Sequence, residues 1–103
     1  MTKPSKLSPE EQQDLDNRLI DAAAHGNTQT VRTLLWAGAD VHGRNDLALP
    51  CAAENGHTEI VKALLSAGAD VHAWNDAAFC WAAYYGHTET LRVLLRRLAR
   101  VTQ

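Results

Sequence analysis

The chain has few of the residues and runs that mark secreted or membrane proteins. Its 103 residues include only two cysteines, Cys51 and Cys80, too few to hold a small secreted domain together by disulfides. No stretch approaches the roughly 18 uninterrupted apolar residues of a membrane helix, and the N-terminal residues lack the apolar run of a signal peptide. We therefore expect a soluble cytoplasmic protein with one domain and no membrane partner.

A strong net charge and the common phosphate-binding motifs are also absent. Ten basic and twelve acidic residues leave a net charge of −2, so no global field attracts nucleic acid. Neither Gly-x-x-x-x-Gly-Lys nor Gly-x-Gly-x-x-Gly occurs in the sequence. We expect neither an enzyme nor a nucleic-acid-binding protein, and no cofactor.

The sequence does contain an internal repeat with a period of 30 residues. Residues 37–46 (AGADVHGRND) and 67–76 (AGADVHAWND) are identical at eight of ten positions. Residues 52–59 (AAENGHTE) and 82–89 (AAYYGHTE) agree at six of eight, and a looser copy begins at residue 22. The chain therefore holds three units. The first and last are atypical, as expected for the capping units of a stack.

The first helix of each unit follows from local signals. Ser8, Pro9 and Glu11 match a capping box, which predicts a helix over residues 9–25. Asp46 precedes an alanine-rich stretch, so we expect its short acceptor side chain to cap the central unit's first helix. Asp76 is expected to do the same in the last unit. Pro50 would then lie inside a helix, so we expect a shifted start or a distorted first turn.

Apolar stripes at helical spacing predict a second helix in each unit. In the central unit, His57 or Thr58 is expected to cap this helix. The link over residues 69–76 is short and polar, which favours an extended finger. In the last unit, one leucine stripe is expected to pack against the stack: Leu91, Leu94, Leu95 and Leu98.

These residues resemble the ankyrin repeat family. The resemblance lies in residues 38–41, 52–61 and Leu64-Leu65, and it covers about residues 15–98. It implies an all-α, ankyrin-type solenoid of stacked helix-turn-helix repeats. The usual period is about 33 residues, so this chain is similar to the short variants in some bacterial and large-virus members. Shortened fingers are therefore expected in place of full β-hairpins.

The resemblance also implies a domain division and a function. We expect a flexible tail over residues 1–8 and a single ankyrin-repeat domain over residues 9–103. Within that domain, an N-terminal capping repeat spans about 9–46, a central repeat 47–76 and a C-terminal capping repeat 77–103. Ankyrin proteins act as protein–protein interaction modules with no chemistry of their own, which implies an unidentified protein partner.

The histidines and cysteines do not point to a metal or catalytic site. Equivalent positions in adjacent units lie about 8–10 Å apart, which is too far for the ligands of one zinc ion. We therefore expect structural or solvent roles for His42, His57, His72 and His87. The two cysteines, Phe79 and Trp81 are expected in the core.

Positions that differ between the units are candidates for contact with a partner. In the finger, Arg44 corresponds to Trp74, and at the end of the first helix Glu54-Asn55 corresponds to Tyr84-Tyr85. The resemblance places such positions on the concave face of the stack. Trp, Tyr and Arg are also enriched in binding hot spots. The predicted partner-binding residues are Arg44, Glu54, Asn55, Trp74, Tyr84, Tyr85 and His25.

A second function is open at this point. Three units are near the minimum for a stable stack, so a homodimer through the aromatic surface or a stack end would add stability. Between the two, we expect a monomer rather than a homodimer. Trp36 lies at an outer position of its helix and could contact a partner or shield the N-terminal helix.

Overall fold

The computed structural model describes residues 6–101, with side chains up to residue 99. Within these residues the chain forms helices and turns, and no strand. In chain order the helices are α1 (Pro9–His25), α2 (Thr28–Ala37), α3 (Gly43–Asp46), α4 (Ala48–Glu54), α5 (Thr58–Ser66), α6 (Ala73–Tyr84) and α7 (Thr88–Val101). The tail expected at residues 1–8 lies mostly outside the described residues.

The long helices form a stack of three helix pairs. Each unit contributes one pair: α1 with α2, α4 with α5, and α6 with α7. The first helices pack in the order α1, α4, α6, and the second helices in the order α2, α5, α7. The prediction of an all-α solenoid of stacked repeats is confirmed.

The core lies between the two layers of helices. Leu19, Leu49, Ile60, Leu64 and Leu94 are fully buried in it. Alanines on the first helices are buried as well, so neighbouring helices approach closely. The predicted leucine stripe of the last unit is wrong at one position, because Leu95 is half exposed.

The capping box of α1 forms as predicted. The Ser8 hydroxyl accepts the Glu11 N–H at 3.2 Å, and Glu11 Oε1 accepts the Ser8 N–H at 2.9 Å. The hydrogen bond from the Ser8 N–H, with a smaller contribution from the Ser8 hydroxyl, lowers the pKa of Glu11 below its ordinary value. Gly26, with φ of 80°, ends the helix.

The predicted side-chain caps of the later helices are wrong. Helix α4 begins at Ala48, so Pro50 lies in its first turn, where a backbone N–H has no helical partner. Asp46 is not its cap, because its φ of 62° is left-handed and its carboxylate bonds elsewhere. Asp76, with φ of 61°, also has a left-handed backbone, and it directly precedes the right-handed part of α6 without capping it. His57 precedes α5 without a side-chain cap bond.

The expected extended fingers are compact left-handed turns. Arg44, Asn45 and Asp46 have φ between 53° and 62°, and residues 74–76 repeat this conformation with φ between 55° and 61°. A left-handed conformation costs about 1–2 kcal/mol for most residues, but Asn and Asp tolerate it better. The Asn and the Asp of each turn are therefore suited to the left-handed conformation. A short turn takes the place of the longer finger.

Two aspartates bind the segment that follows the next second helix along the chain. Asp16 Oδ1 accepts the Asp40 N–H at 2.7 Å, and Asp46 Oδ1 accepts the Asp70 N–H at 3.1 Å. Both bonds span 24 residues, so the same contact occurs twice: within the first unit, and between Asp46 at the end of that unit and Asp70 in the central unit. Here "joint" denotes the interface between two successive units. The carboxylate of Asp46 therefore stabilises the joint instead of capping a helix.

Histidines form a contact at both joints. His57 Nε2 donates to the carbonyl of Ala24 at 3.2 Å, and His87 Nε2 donates to the carbonyl of Glu54 at 2.9 Å. Each ring also lies against a left-handed glycine of the preceding unit. A Cβ built on Gly56 would lie 2.6 Å from His87 Nδ1, so only glycine fits beneath the ring. These two histidines thus have a structural role.

Candidate interaction surface

The left-handed turns place Arg44 and Trp74 on the surface. Within the first turn, Asp40 Oδ1 accepts the His42 N–H at 2.9 Å, and His42 Nδ1 lies 2.8 Å from Asp46 Oδ1. The second turn repeats both contacts. Arg44 Nη1 donates to Asn17 Oδ1 on α1 at 3.2 Å, while Trp74 is 53% exposed. Each variable side chain is therefore presented by a fixed backbone.

Three of the predicted residues line one cleft. Glu54, Asn55 and Tyr85 surround it together with His87, between the C-terminal ends of α4 and α6. The cleft has a volume of about 410 Å³. Its floor is held in place because His87 binds the Glu54 carbonyl and Asn55 Nδ2 donates to the Cys51 carbonyl at 2.9 Å.

Tyr84 and Tyr85 form an aromatic cluster with Trp81. The Tyr84 ring meets both neighbours edge-on, at centroid distances of 5.9 Å from Trp81 and 5.0 Å from Tyr85. Tyr85 stacks on Trp81 at 5.8 Å. These rings and Cys80 line an open cleft of about 530 Å³. We call Trp81, Tyr84 and Tyr85 the aromatic cluster.

The cluster corrects two expectations about the core. Trp81 is 40% exposed and Cys80 is also exposed, whereas Phe79 is partly buried against the core as expected. Trp81 was not predicted as a surface residue. Its counterpart 30 residues earlier is Cys51, which is itself only half-buried.

The remaining predicted residues lie elsewhere on the stack. His25 is exposed at the end of α1, where its Nδ1 lies 2.8 Å from the Asp21 carbonyl oxygen. Trp36 is exposed on α2, in the layer of second helices. The structure thus places the predicted set at three sites: the two turns, the cleft with the aromatic cluster, and the end of α1.

The Cys51 thiol on α4 is only partly exposed. Burial, and to a lesser degree the charge of Glu54, raises the pKa of the Cys51 thiol, which disfavours the nucleophilic thiolate. Across residues 6–99, no group of three or more His, Cys, Asp or Glu side chains is arranged to hold a metal ion. A search of the described helices found none long and apolar enough to cross a membrane.

A stack of helix pairs with fixed joints and variable surface positions defines a solenoid repeat protein. The family model for ankyrin repeats (three copies) matches residues 19–103, which is most of the chain. The chain belongs to the ankyrin repeat family. Ankyrin repeats are generally protein–protein interaction modules and are typically non-catalytic. In a comparison with curated proteins, none matched the chain.

Proposed function

We propose that the chain is a non-catalytic module that binds a protein partner through the face formed by its turns and first helices. The observation that carries this proposal is the exposure of large aromatic side chains at the variable positions. Tyr84 is 76% exposed, Trp74 53% and Tyr85 50%. The proposed contact residues are Arg44, Glu54, Asn55, Trp74, Tyr84, Tyr85 and His25.

The chemistry of these side chains supports binding to a protein. Tyrosine and tryptophan offer large contact areas with few rotatable bonds, so little entropy is lost when a partner covers them. The backbone beneath them is fixed by the joint contacts, which lowers the cost of ordering the surface further. Glu54, Asn55 and Tyr85 combine an acidic, an amide and an aromatic group in one cleft.

The place of action that we propose is the cytoplasm. Both cysteines are free thiols, which suits a reducing compartment. Nucleic acid is not the proposed ligand, since the net charge is −2 and the exposed arginine of the face, Arg44, already donates to Asn17.

Affinity capture with a matched pair of variants tests this proposal. The face variant combines Trp74→Ala with Glu54→Lys, and the control variant combines Trp36→Ala with Lys62→Glu on the second-helix layer. Each loses one exposed tryptophan and reverses one charge. We expect the face variant to lose proteins that the wild type and the control retain. Equal capture by all three chains would refute the assigned face.

Self-association is the alternative function, and the exposed aromatic cluster is the observation that favours it. Sedimentation of the purified chain separates the two functions, because a module for another protein has no need to self-associate. The face variant then shows whether any self-association uses the turns and the cleft.

A further inference from the structure

The two layers of helices carry opposite charge. The second helices, α2, α5 and α7, contain six basic and two acidic residues, a net charge of +4. The other helices, α1, α3, α4 and α6, contain two basic and eight acidic residues, a net charge of −6. The small net charge of the chain therefore results from two layers of opposite sign, and the layer of second helices attracts anionic ligands.

A groove between α5 and α7 concentrates the basic charge of this layer. It has a volume of about 250 Å³ and is lined by three residues from each helix: Lys62, Leu65, Ser66, Val93, Arg96 and Arg97. We call it the basic groove. Three of its six lining side chains are cationic and none is acidic, while Leu65 and Val93 give it an apolar wall.

Arg97 is held in place at the edge of the basic groove. Its Nη2 donates to the Leu65 carbonyl at 2.7 Å, across the joint between the central and last units, and the side chain is partly buried. This bond orders the guanidinium before a ligand arrives, which lowers the entropic cost of binding. A guanidinium has five N–H donors in a planar fork that matches a carboxylate, so one bond to a carbonyl leaves donors for a ligand.

The other two cations of the groove are accessible to a ligand. Arg96 is exposed, and within the part of the chain that the structure describes it makes no ion pair or hydrogen bond. Lys62 Nζ lies 3.6 Å from Glu59 Oε2, in a pair whose side chains are both more than half exposed. Exposed pairs of this kind contribute only about 0–1 kcal/mol, so the carboxylate of a ligand can compete for Lys62.

We propose that the basic groove binds an acidic peptide segment of a protein, in which glutamates or aspartates flank an apolar residue. Three cations match the carboxylates, and Leu65 and Val93 contact the apolar side chain or the methylene groups of glutamate. A bilayer or a nucleic acid would need cations spread along the layer, whereas α2 supplies only Arg32. This site is separate from the proposed contact face of turns and first helices.

Fluorescence anisotropy with a defined acidic peptide tests this proposal. The probe is a fluorescein-labelled decapeptide of glutamate and leucine, EELEEEELEE, and the control peptide has glutamine at every glutamate position. For the acidic peptide we expect a dissociation constant of about 10–500 μM in roughly 0.1 M salt, because the groove is small. The glutamine peptide should not bind. Absence of binding by the acidic peptide at about 1 mM protein overturns the proposal, and so does equal binding of the two peptides.

A matched pair of variants locates the binding site. Arg96→Glu should weaken peptide binding at least about tenfold, because it places a carboxylate in the groove. Arg32→Glu makes the same charge change at an exposed arginine of the same layer, outside the groove, and should bind within about threefold of the wild type. Equal losses in the two variants would show attraction to the whole layer and overturn the groove as the site. Lys62→Glu is a second groove variant, with helical content checked by circular dichroism, and binding that survives both groove substitutions also overturns the proposal.

Two further ligands test whether the groove prefers a peptide. A labelled ten-nucleotide oligothymidylate and vesicles of phosphatidylserine and phosphatidylcholine should both bind more weakly than the acidic peptide, and equal or tighter binding of either overturns the choice of ligand.

The groove and the proposed partner face can fail independently. The Trp74→Ala, Glu54→Lys variant should bind the acidic peptide at least as tightly as the wild type, and Arg96→Glu should still capture the partner. A dissociation constant of about 10–500 μM is too weak to retain a protein in affinity capture, so the control variant with Lys62→Glu stays valid there. Loss of peptide binding in the Trp74→Ala, Glu54→Lys variant would place the peptide on the turns and the cleft, against the groove.

Discussion

At the scale of single residues, glycine and histidine act as a pair in each joint. The His57 ring lies over Gly26 and the His87 ring over Gly56, and each ring has an atom only 2.6 Å from the position a Cβ would occupy. Gly86 has the same backbone conformation, and none of the described residues places a ring above it. The chain thus contains an internal control for the contribution of the histidine contact.

Alanine at Gly56 and at Gly86 should therefore have different effects. Both glycines are left-handed, with φ of 71° and 74°, so each substitution costs about 1–2 kcal/mol in backbone strain. Gly56→Ala additionally pushes a methyl group into His87 and should cost at least about 1 kcal/mol more. Urea unfolding of both variants measures the difference. Equal destabilisation would show that the ring moves aside freely.

The two cysteines should differ in reactivity. Cys80 is exposed, whereas Cys51 is half-buried and has a raised pKa, so a smaller fraction of Cys51 is thiolate at neutral pH. Alkylation followed by mass spectrometry should therefore modify Cys80 first. The single variants Cys51→Ser and Cys80→Ser, labelled at low protein concentration, provide the separate rates. Faster labelling of Cys51 would contradict the burial described for α4.

At the scale of elements, the start of α1 depends on a reciprocal pair of bonds between Ser8 and Glu11. Ser8→Ala removes the cap and should cost about 1 kcal/mol of stability at neutral pH. The lowered pKa of Glu11 means that its contribution is present at neutral pH and is lost as the pH falls through that pKa.

The stability difference between the wild type and Ser8→Ala should therefore shrink on acidification. Urea unfolding at neutral and acidic pH measures it. Glu10→Gln is the control, because Glu10 lies in the same turn outside the reciprocal pair. A difference that is constant with pH would show that Ser8 acts without the Glu11 carboxylate.

The elements also show what the sequence could predict. The bounds of α1, the glycines that end helices and the position of Pro50 follow from local signals, and all agree with the structure. The role of Asp46 could not be predicted from local signals, because the group that its carboxylate binds is a backbone N–H 24 residues away. A hydrogen-bond acceptor before an alanine-rich stretch has the pattern of a helix cap. Only the packing between units shows that the Asp46 carboxylate binds the Asp70 N–H instead.

At the scale of the whole molecule, the 30-residue sequence repeat predicted the stack and the variable positions. It did not predict that Leu95 is exposed, because the burial of an apolar side chain depends on whether a neighbouring unit covers it. Leu65 and Leu95 occupy equivalent positions 30 residues apart, yet Leu65 is buried and Leu95 is half exposed. The repeat therefore determines which side chains point along the stack, and the neighbouring unit determines whether they are buried.

The stack should accept another central unit. Inserting a second copy of residues 47–76 after Asp76 keeps both joint contacts in register and adds one interface. We expect a higher midpoint of urea unfolding, with the denaturant dependence raised by roughly 30% in proportion to the added surface. An insert of the same composition in scrambled order is the control. A gain from the scrambled insert would show that the joints are not responsible.

One consequence of the joints concerns how such a chain diverges over generations. On one side of each histidine and aspartate bond the partner is a main-chain atom: the carbonyls of Ala24 and Glu54 and the N–H groups of Asp40 and Asp70. Main-chain atoms are the same whatever the side chain. Positions 24, 54 and 84 can therefore mutate without weakening the architecture, which leaves natural selection free to retarget the module to new ligands.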